Sequence, residues 1–390
     1  MTTSAFDSYR PPEPERRRRR RGGRGAQDGD RRRGRSGWPG RPGWQGGRSG
    51  RSDGSAEMLM VPDVEAEDFA SYYGRAVVKP PPWGHEVAAY LFLGGVAGGS
   101  GLIALGAQLT GRDALRRNAR LGGLASVALG GAALVKDLGR PERFYNMLRT
   151  IKLTSPMSIG SWVLTAYSAG IGVAAVAEVD RLGSRGSSRG LLPLGPLRPV
   201  LQAVEPWAGW EAAAFSPPLA AYTAVLLSDT ANPTWNAMHR DLPFVFVSSA
   251  TLAAAGLAMV TTPTRETAPV RALAVIGVVG DVVAMRLTEA RMDPVAAEPL
   301  HQGHPGQLMR WAERLAVGGG LGALLLGSNR AGAILTGLAL LGASAATRVG
   351  VFEAGIASAK DPRYTVLPQR RRLEARRAAG VTDDSITTAG

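Results

Sequence analysis

Residues 87–109 read VAAYLFLGGVAGGSGLIALGAQL, a run of 23 without a charged side chain. A helix rises about 1.5 Å per residue, so this run spans a hydrocarbon layer roughly 30 Å thick with some tilt. Seven further apolar stretches follow, at Leu121–Val135, Met157–Ala177, Ala212–Leu227, Leu242–Met259, Val270–Met285, Leu315–Gly327 and Ala331–Ala346. The expected fold is an all-α integral membrane protein with about eight transmembrane helices. The second and seventh stretches are short in strictly apolar residues and must borrow polar ends. In the first, Gly94/Gly98 and Gly95/Gly99 are small-xxx-small pairs that let helix backbones approach. Trp83, Trp207, Trp210, Trp235 and Trp311 fall at or near span ends, where amphipathic rings favour the membrane–water boundary.

The mean hydropathy of −0.04 resembles that of a soluble protein, but it averages a polar tail with an apolar middle. Residues 1–55 hold fifteen Arg, six acids and almost no aliphatics. Such a segment buries too little apolar surface to offset its chain entropy, and disorder is expected there. The chain then divides into a tail over 1–80 (Arg/Gly-rich, then acidic), a transmembrane domain over 81–357 and a basic tail over 358–390. The RGG-like pieces Arg21–Gly23 and Gly46–Arg48 resemble nucleic-acid-binding low-complexity sequence. On a membrane chain, attraction to anionic lipid is the simpler reading, so membrane lipid rather than nucleic acid is the expected partner of the tail. The absence of cysteine excludes disulfides, thiolate zinc sites and any iron–sulfur cluster held by this chain. The four histidines, at 85, 239, 301 and 304, lie outside the predicted spans. A bis-His haem needs facing histidines within helices, so no haem is expected either. The first residues show no secretory signal pattern.

Eight spans place both termini on one face. Arg-rich ends favour a cytoplasmic location for both, although the first loop then carries Arg112, Arg116, Arg117 and Arg120 outward. The same near face gathers WGHE (83–86), the stretch 136–156, SDTANPTW (228–235), RLTEARMD (286–293) and SAKDPRY (358–364). The far-face loops read as Gly, Ser, Arg and Ala filler. This asymmetry points to a ligand or partner site on the near face. Within residues 136–162, KDLGRPERFYNMLRTIKLTSPMSIGSW, Pro141 suits the first turn of a helix. Phe144, Met147, Leu148 and Ile151 then recur at i, i+3, i+4 and i+7, predicting a short amphipathic helix in the interface.

Four ordered pieces carry a resemblance: WGHE with the Tyr, Phe and Gly residues behind it (Trp83–Gly98), KDLGRPERF (Lys136–Phe144), SPMSIGSW (Ser155–Trp162) and YTAVLLSDTANPTW (Tyr222–Trp235). In this order and spacing, the chain resembles the NrfD/polysulfide reductase membrane-subunit family from about residue 80 to 365. The resemblance implies an integral membrane subunit built around four-helix bundles, with no haem or cluster of its own. It implies a docked four-cluster iron–sulfur, ferredoxin-like subunit and, beyond it, a molybdopterin oxidoreductase subunit. It further implies that the membrane subunit exchanges electrons between that partner and menaquinone or another quinone.

Candidate residues follow from both readings. His85 stands at the mouth of the first span, where an imidazole can bond a quinone carbonyl and exchange its proton. From residues alone the interfacial histidine without a ligand is the simpler reading; the resemblance favours the quinone. Pro82 occupies the position one turn earlier where the family can carry a polar side chain. Tyr222, near the same end of the fourth span, reads alone as a belt tyrosine, and the resemblance again favours the quinone pocket. Asp137 and Arg140 either fix the turn after the second span or deliver protons. Asp281 and Arg348 lie at membrane depth, where a charge costs on the order of 3 kcal/mol on insertion scales. Pairing, with each other or with Glu289 and Glu353 nearby, is the simpler reading, and a proton path is the alternative. Glu86 and Glu211 sit at span starts and read as interfacial. Two rival functions remain open. A secondary transporter would use the glycine-rich spans and Asp281, but no two segments share an interruption at matching positions. A pure scaffold would only anchor a partner.

Overall fold

The computed structural model describes residues 76–183 and 190–380. The chain divides into two units, Met1–Ala56 and Glu57–Gly390. The first unit, which contains the Arg-rich tail, lies outside the described residues, and every described helix belongs to the second.

Among the described residues every regular element is helical. Eight long helices take up the eight apolar stretches: α1 (His85–Leu109), α2 (Asp113–Asp137), α3 (Pro156–Leu182), α4 (Leu197–Ser228), α6 (Leu242–Thr261), α7 (Ala268–Arg291), α9 (Gly303–Leu325) and α10 (Arg330–Lys360). Three shorter ones, α5 (Pro233–Ala237), α8 (Pro294–His301) and α11 (Arg363–Ala378), and two 3-10 helices, Pro141–Leu148 and Thr264–Glu266, complete the order. Six of the described helices, α1, α2, α3, α6, α7 and α10, are long and apolar enough to cross a membrane. The shortfall from eight lies in α4, which carries Pro206, Pro217 and Pro218 inside it, and in α9, which carries Arg310, Glu313 and Arg314. The second span, expected to be short, extends to 25 residues because Asp113–Arg120 joins it as helix.

Local chemistry sets the ends. Ser155 accepts from the Ser158 N–H with Pro156 in the first turn, which starts α3. Asn329 and Asp293 cap α10 and α8 in the same manner, accepting from the N–H groups of Ala331 and Val295. Gly111, at φ 64°, takes the left-handed turn between α1 and α2.

The long helices form two four-helix bundles. The first is α1–α4; the second is α6, α7, α9 and α10. They meet through α1 and α4 against α6, and through α1 against α10. Close approach of α1 to α4 within the first bundle, and to α6 across the two, depends on glycine. A Cβ on Gly98 would lie 2.9 Å from the Ser216 carbonyl oxygen of α4, and one on Gly99 would lie 2.6 Å from the Ala250 oxygen of α6.

The connections are unequal. The segments joining α2 to α3, α4 to α6 and α7 to α9 hold most of the short helices, and α11 follows α10 at the same end. Thr234 Oγ1 donates to the Ala296 carbonyl, and Ser358 Oγ accepts from the Thr234 N–H, so α5 is tied to α8 and α10. Trp235 is fully buried, stacked on Trp83 with centroids 5.7 Å apart, and its Nε1 donates to the Val351 carbonyl. It is a core anchor of the near face and not the interfacial tryptophan expected from its position. Trp207, Trp210 and Trp311 do face outward.

The helix expected after Pro141 exists, but as a 3-10 helix over Pro141–Leu148 that stops before Ile151 and buries none of its residues. Its side chains lean over a cavity instead of forming a continuous α-helical stripe.

Candidate functional site

A cavity of about 420 Å³ opens at the near-face end of the first bundle. Tyr90 and Leu91 of α1, Leu134 of α2, Leu164 of α3 and Leu226 of α4 line it, with Phe144 and Met147 of the 3-10 helix across its mouth. Each of the four ordered sequence pieces therefore contributes to this one wall. The chain between α2 and α3 is no ordinary loop; it closes a pocket.

Within this apolar lining lies a small set of hydroxyls. The Tyr90 and Tyr222 hydroxyls are hydrogen-bonded to each other across α1 and α4, with ring centroids 6.5 Å apart. Two glycines make room for the pair. A Cβ on Gly160 of α3 would overlap the Tyr222 ring, and one on Gly130 of α2 would lie 3.1 Å from the Tyr90 ring. The glycine of SPMSIGSW thus has a steric reason. Thr223 lines the cavity too, and its Oγ1 is buried without a hydrogen-bond partner. An orphan hydroxyl of this kind costs free energy unless a ligand or water completes it. Neither Tyr90 nor Thr223 stands out in the sequence. Tyr90 is only one letter of the motif, and Thr223 is one more β-branched residue in an apolar run.

The other candidates fall in three places. His85 is exposed at the first residue of α1, beside the lining but not part of it. Asp137 does line the cavity, and its Oδ1 accepts from the Gly84 N–H at 3.3 Å, which ties the end of α2 to the start of α1. Lys136 pairs with Glu86 at 3.1 Å across the same junction. Arg140 is exposed and makes no ion pair with Asp137. Asp281 and Arg348 lie in the second bundle, and neither lines this cavity. They do not form the direct ion pair expected of them. The guanidinium of Arg348 is fully buried and turned toward α1 and α6, donating to the Leu91 and Phe246 carbonyls at 2.6 Å each. It reaches them because Gly95 has no side chain; a Cβ there would lie 2.6 Å from Nη2.

The far end of the first bundle holds an ion network where the sequence shows only filler between spans. Arg120 is buried, bridging Glu178 of α3 at 2.8 Å, Glu205 of α4 and Gln108 of α1 at 2.6 Å. Arg116 and Arg181 add bonds to the same two carboxylates. Glu178 and Arg181 fall just beyond the predicted third span, so no sequence pattern joins them to Arg120 and Glu205.

Comparison with protein families finds a match to the family described as "Polysulphide reductase, NrfD" over residues 76–287, more than half of the chain. The chain belongs to this family. Comparison with curated proteins finds no match. The matched region takes in α1 to α6 and most of α7, and so the whole of the first bundle and its cavity. With six described helices apolar enough to cross, the NrfD-family chain is a multi-pass membrane protein.

Proposed function

We propose that this chain is the quinone-reactive membrane subunit of a respiratory oxidoreductase, exchanging electrons between a docked iron–sulfur subunit and menaquinone or a related quinone. The observation that carries this reading is the cavity of the first bundle: an apolar slot of about 420 Å³ with a hydroxyl pair and the orphan Thr223 Oγ1 in its wall. Ligand sites of this kind are mostly apolar, with a few polar groups fixing orientation. A flat ring with an apolar tail and two carbonyl oxygens fits such a lining.

A bound quinone supplies a couple that takes up two electrons and two protons. The residues of this chain do the rest. Leu91, Leu134 and Leu226 take the apolar body and exclude water. Thr223 Oγ1 donates to an oxygen of the ligand and so loses its unpartnered state. Tyr222 offers its hydroxyl to the same region, and the bond to Tyr90 holds that hydroxyl in place. Asp137 at the rim and His85 just outside it are the groups through which a proton on the Tyr222 oxygen exchanges with water. Electrons must come from another polypeptide, because a chain without cysteine holds no iron–sulfur cluster of its own. The near face, with α5, α8 and α11, is the docking face for that subunit, which in turn carries a molybdopterin partner.

The test uses the purified complex and a soluble menaquinol analogue. Tyr222→Phe is expected to lower turnover by about 10²-fold, the usual worth of a positioned proton donor. Leu134→Trp, which fills the slot, is expected to abolish turnover while the complex still assembles. Full turnover in both variants overturns the reading.

A further inference from the structure

The second bundle contains a site that the quinone reading does not use. Asp281 of α7 is only 6% exposed, and its Oδ1 has no hydrogen-bond partner. It lines a separate cavity of about 130 Å³ between α7, α8, α9 and α10, which shares no lining residue with the first. We propose that Asp281 is a proton-binding site, loaded and emptied through this cavity from the face that carries α8.

The lining supports a proton in preference to a metal ion. A hard cation needs several oxygens around it. Here the one neighbouring hydroxyl, Thr347 Oγ1, already donates to the Ala343 carbonyl. The described residues contain no group of three His, Asp or Glu able to hold a metal ion. The other charges facing the cavity are engaged: Arg286 with Glu313, and Arg310 with the His301 carbonyl at 3.2 Å. From α10, Arg348 acts on Asp281 only through space, and α6 brings no charged side chain within Leu242–Thr261. An unpaired carboxylate at membrane depth costs on the order of 3 kcal/mol on insertion scales, and one bound proton removes that charge.

The route is one-sided. Asp281, Met285 and Glu289 follow one another at i, i+4 and i+8 along α7, and all three line the cavity. Glu289 lies 3.8 Å from His301 Nε2 at the exposed end. A proton passes from solvent to the His301–Glu289 pair, crosses the cavity along water for the roughly 12 Å that eight helical residues span, and reaches Asp281 Oδ1; it returns by the same route. Toward the other end of α7 the buried residues are Val278, Gly277, Ala274 and Val270, none of which carries a proton.

The experiment is infrared difference spectroscopy of the purified complex during pH jumps, in H2O and D2O. The expected result is a protonated-carboxyl C=O band that shifts in D2O and is lost in Asp281→Asn. Glu289→Gln is expected to keep the band and slow its deuterium exchange severalfold. If the Asn variant does not assemble, Asp281→Glu is expected to move the band instead. Identical spectra for wild type and variant mean that Asp281 stays ionised opposite Arg348, which overturns the proposal. So does a band that ignores D2O, or one that responds to sodium and not to pH.

Discussion

Tyr222 shows how one side chain takes its setting from its neighbours. Alone it is a tyrosine one turn and a half from a helix end. Gly160 gives its ring a seat, Tyr90 fixes its hydroxyl, and Thr223 beside it is left without a partner. Thr223→Val keeps the shape and removes the orphan hydroxyl. The expected outcome is a weaker apparent affinity for the quinol analogue with unchanged assembly, read as KM against kcat. Gly355 is a second position where size decides the outcome. Its missing side chain is the space filled by the Trp235 indole, which is fully buried. Gly355→Ala overpacks that contact and is expected to cost about 1–3 kcal/mol, measured as a lowered unfolding midpoint in detergent.

At the scale of elements, the two ends of the first bundle are held differently. The near end is closed by aromatic stacking and the 3-10 helix, with an open cavity between. The far end is clamped by ions: Arg120 joins α2 to α1, α3 and α4. Removing one member of a buried ion network strands the others, so Arg120→Ala is expected to destabilise by about 3–5 kcal/mol. Thermal unfolding of the purified chain checks this. The exposed pair Arg286–Glu313 serves as the control, and its loss is expected to leave the midpoint unchanged. The far end is thus the ion-clamped frame, and the near end, where chain connections are long, is where the proposed function places ligand and partner.

For the whole molecule, charge and orientation matter most. The helix α11 places Arg370, Arg371, Arg372 and Arg377 along one exposed segment at the near face, with Arg371 3.2 Å from Asp293. If that face docks the iron–sulfur subunit, replacing Arg370 and Arg372 by Glu is expected to weaken the complex most at low salt, where surface charges are least screened. Co-purification across a salt series measures it. Orientation has its own test, because the chain has no cysteine. A Cys introduced at Ala379, exposed just past α11, is expected to label with an impermeant thiol reagent only after the cytoplasmic side is opened.

Hydrophobic runs, prolines and caps are local properties, and they specify the eight helical stretches, the break at Pro141 and the membrane character of the chain. A helix in lipid satisfies its own backbone, so it can be read without knowing its neighbours. The near-face position of Asp137 and Tyr222 also follows from counting spans. Contacts between helices are not local. Nothing along the chain says that Arg348 turns from Asp281 toward Leu91 and Phe246, that Trp235 is core, or that Arg120 meets Glu178 and Glu205. Those pairings depend on how helix faces are rotated when two bundles pack through glycine, and tertiary structure alone decides that. The same rotation joins Tyr90 to Tyr222 and leaves His85 outside the cavity that both tyrosines line.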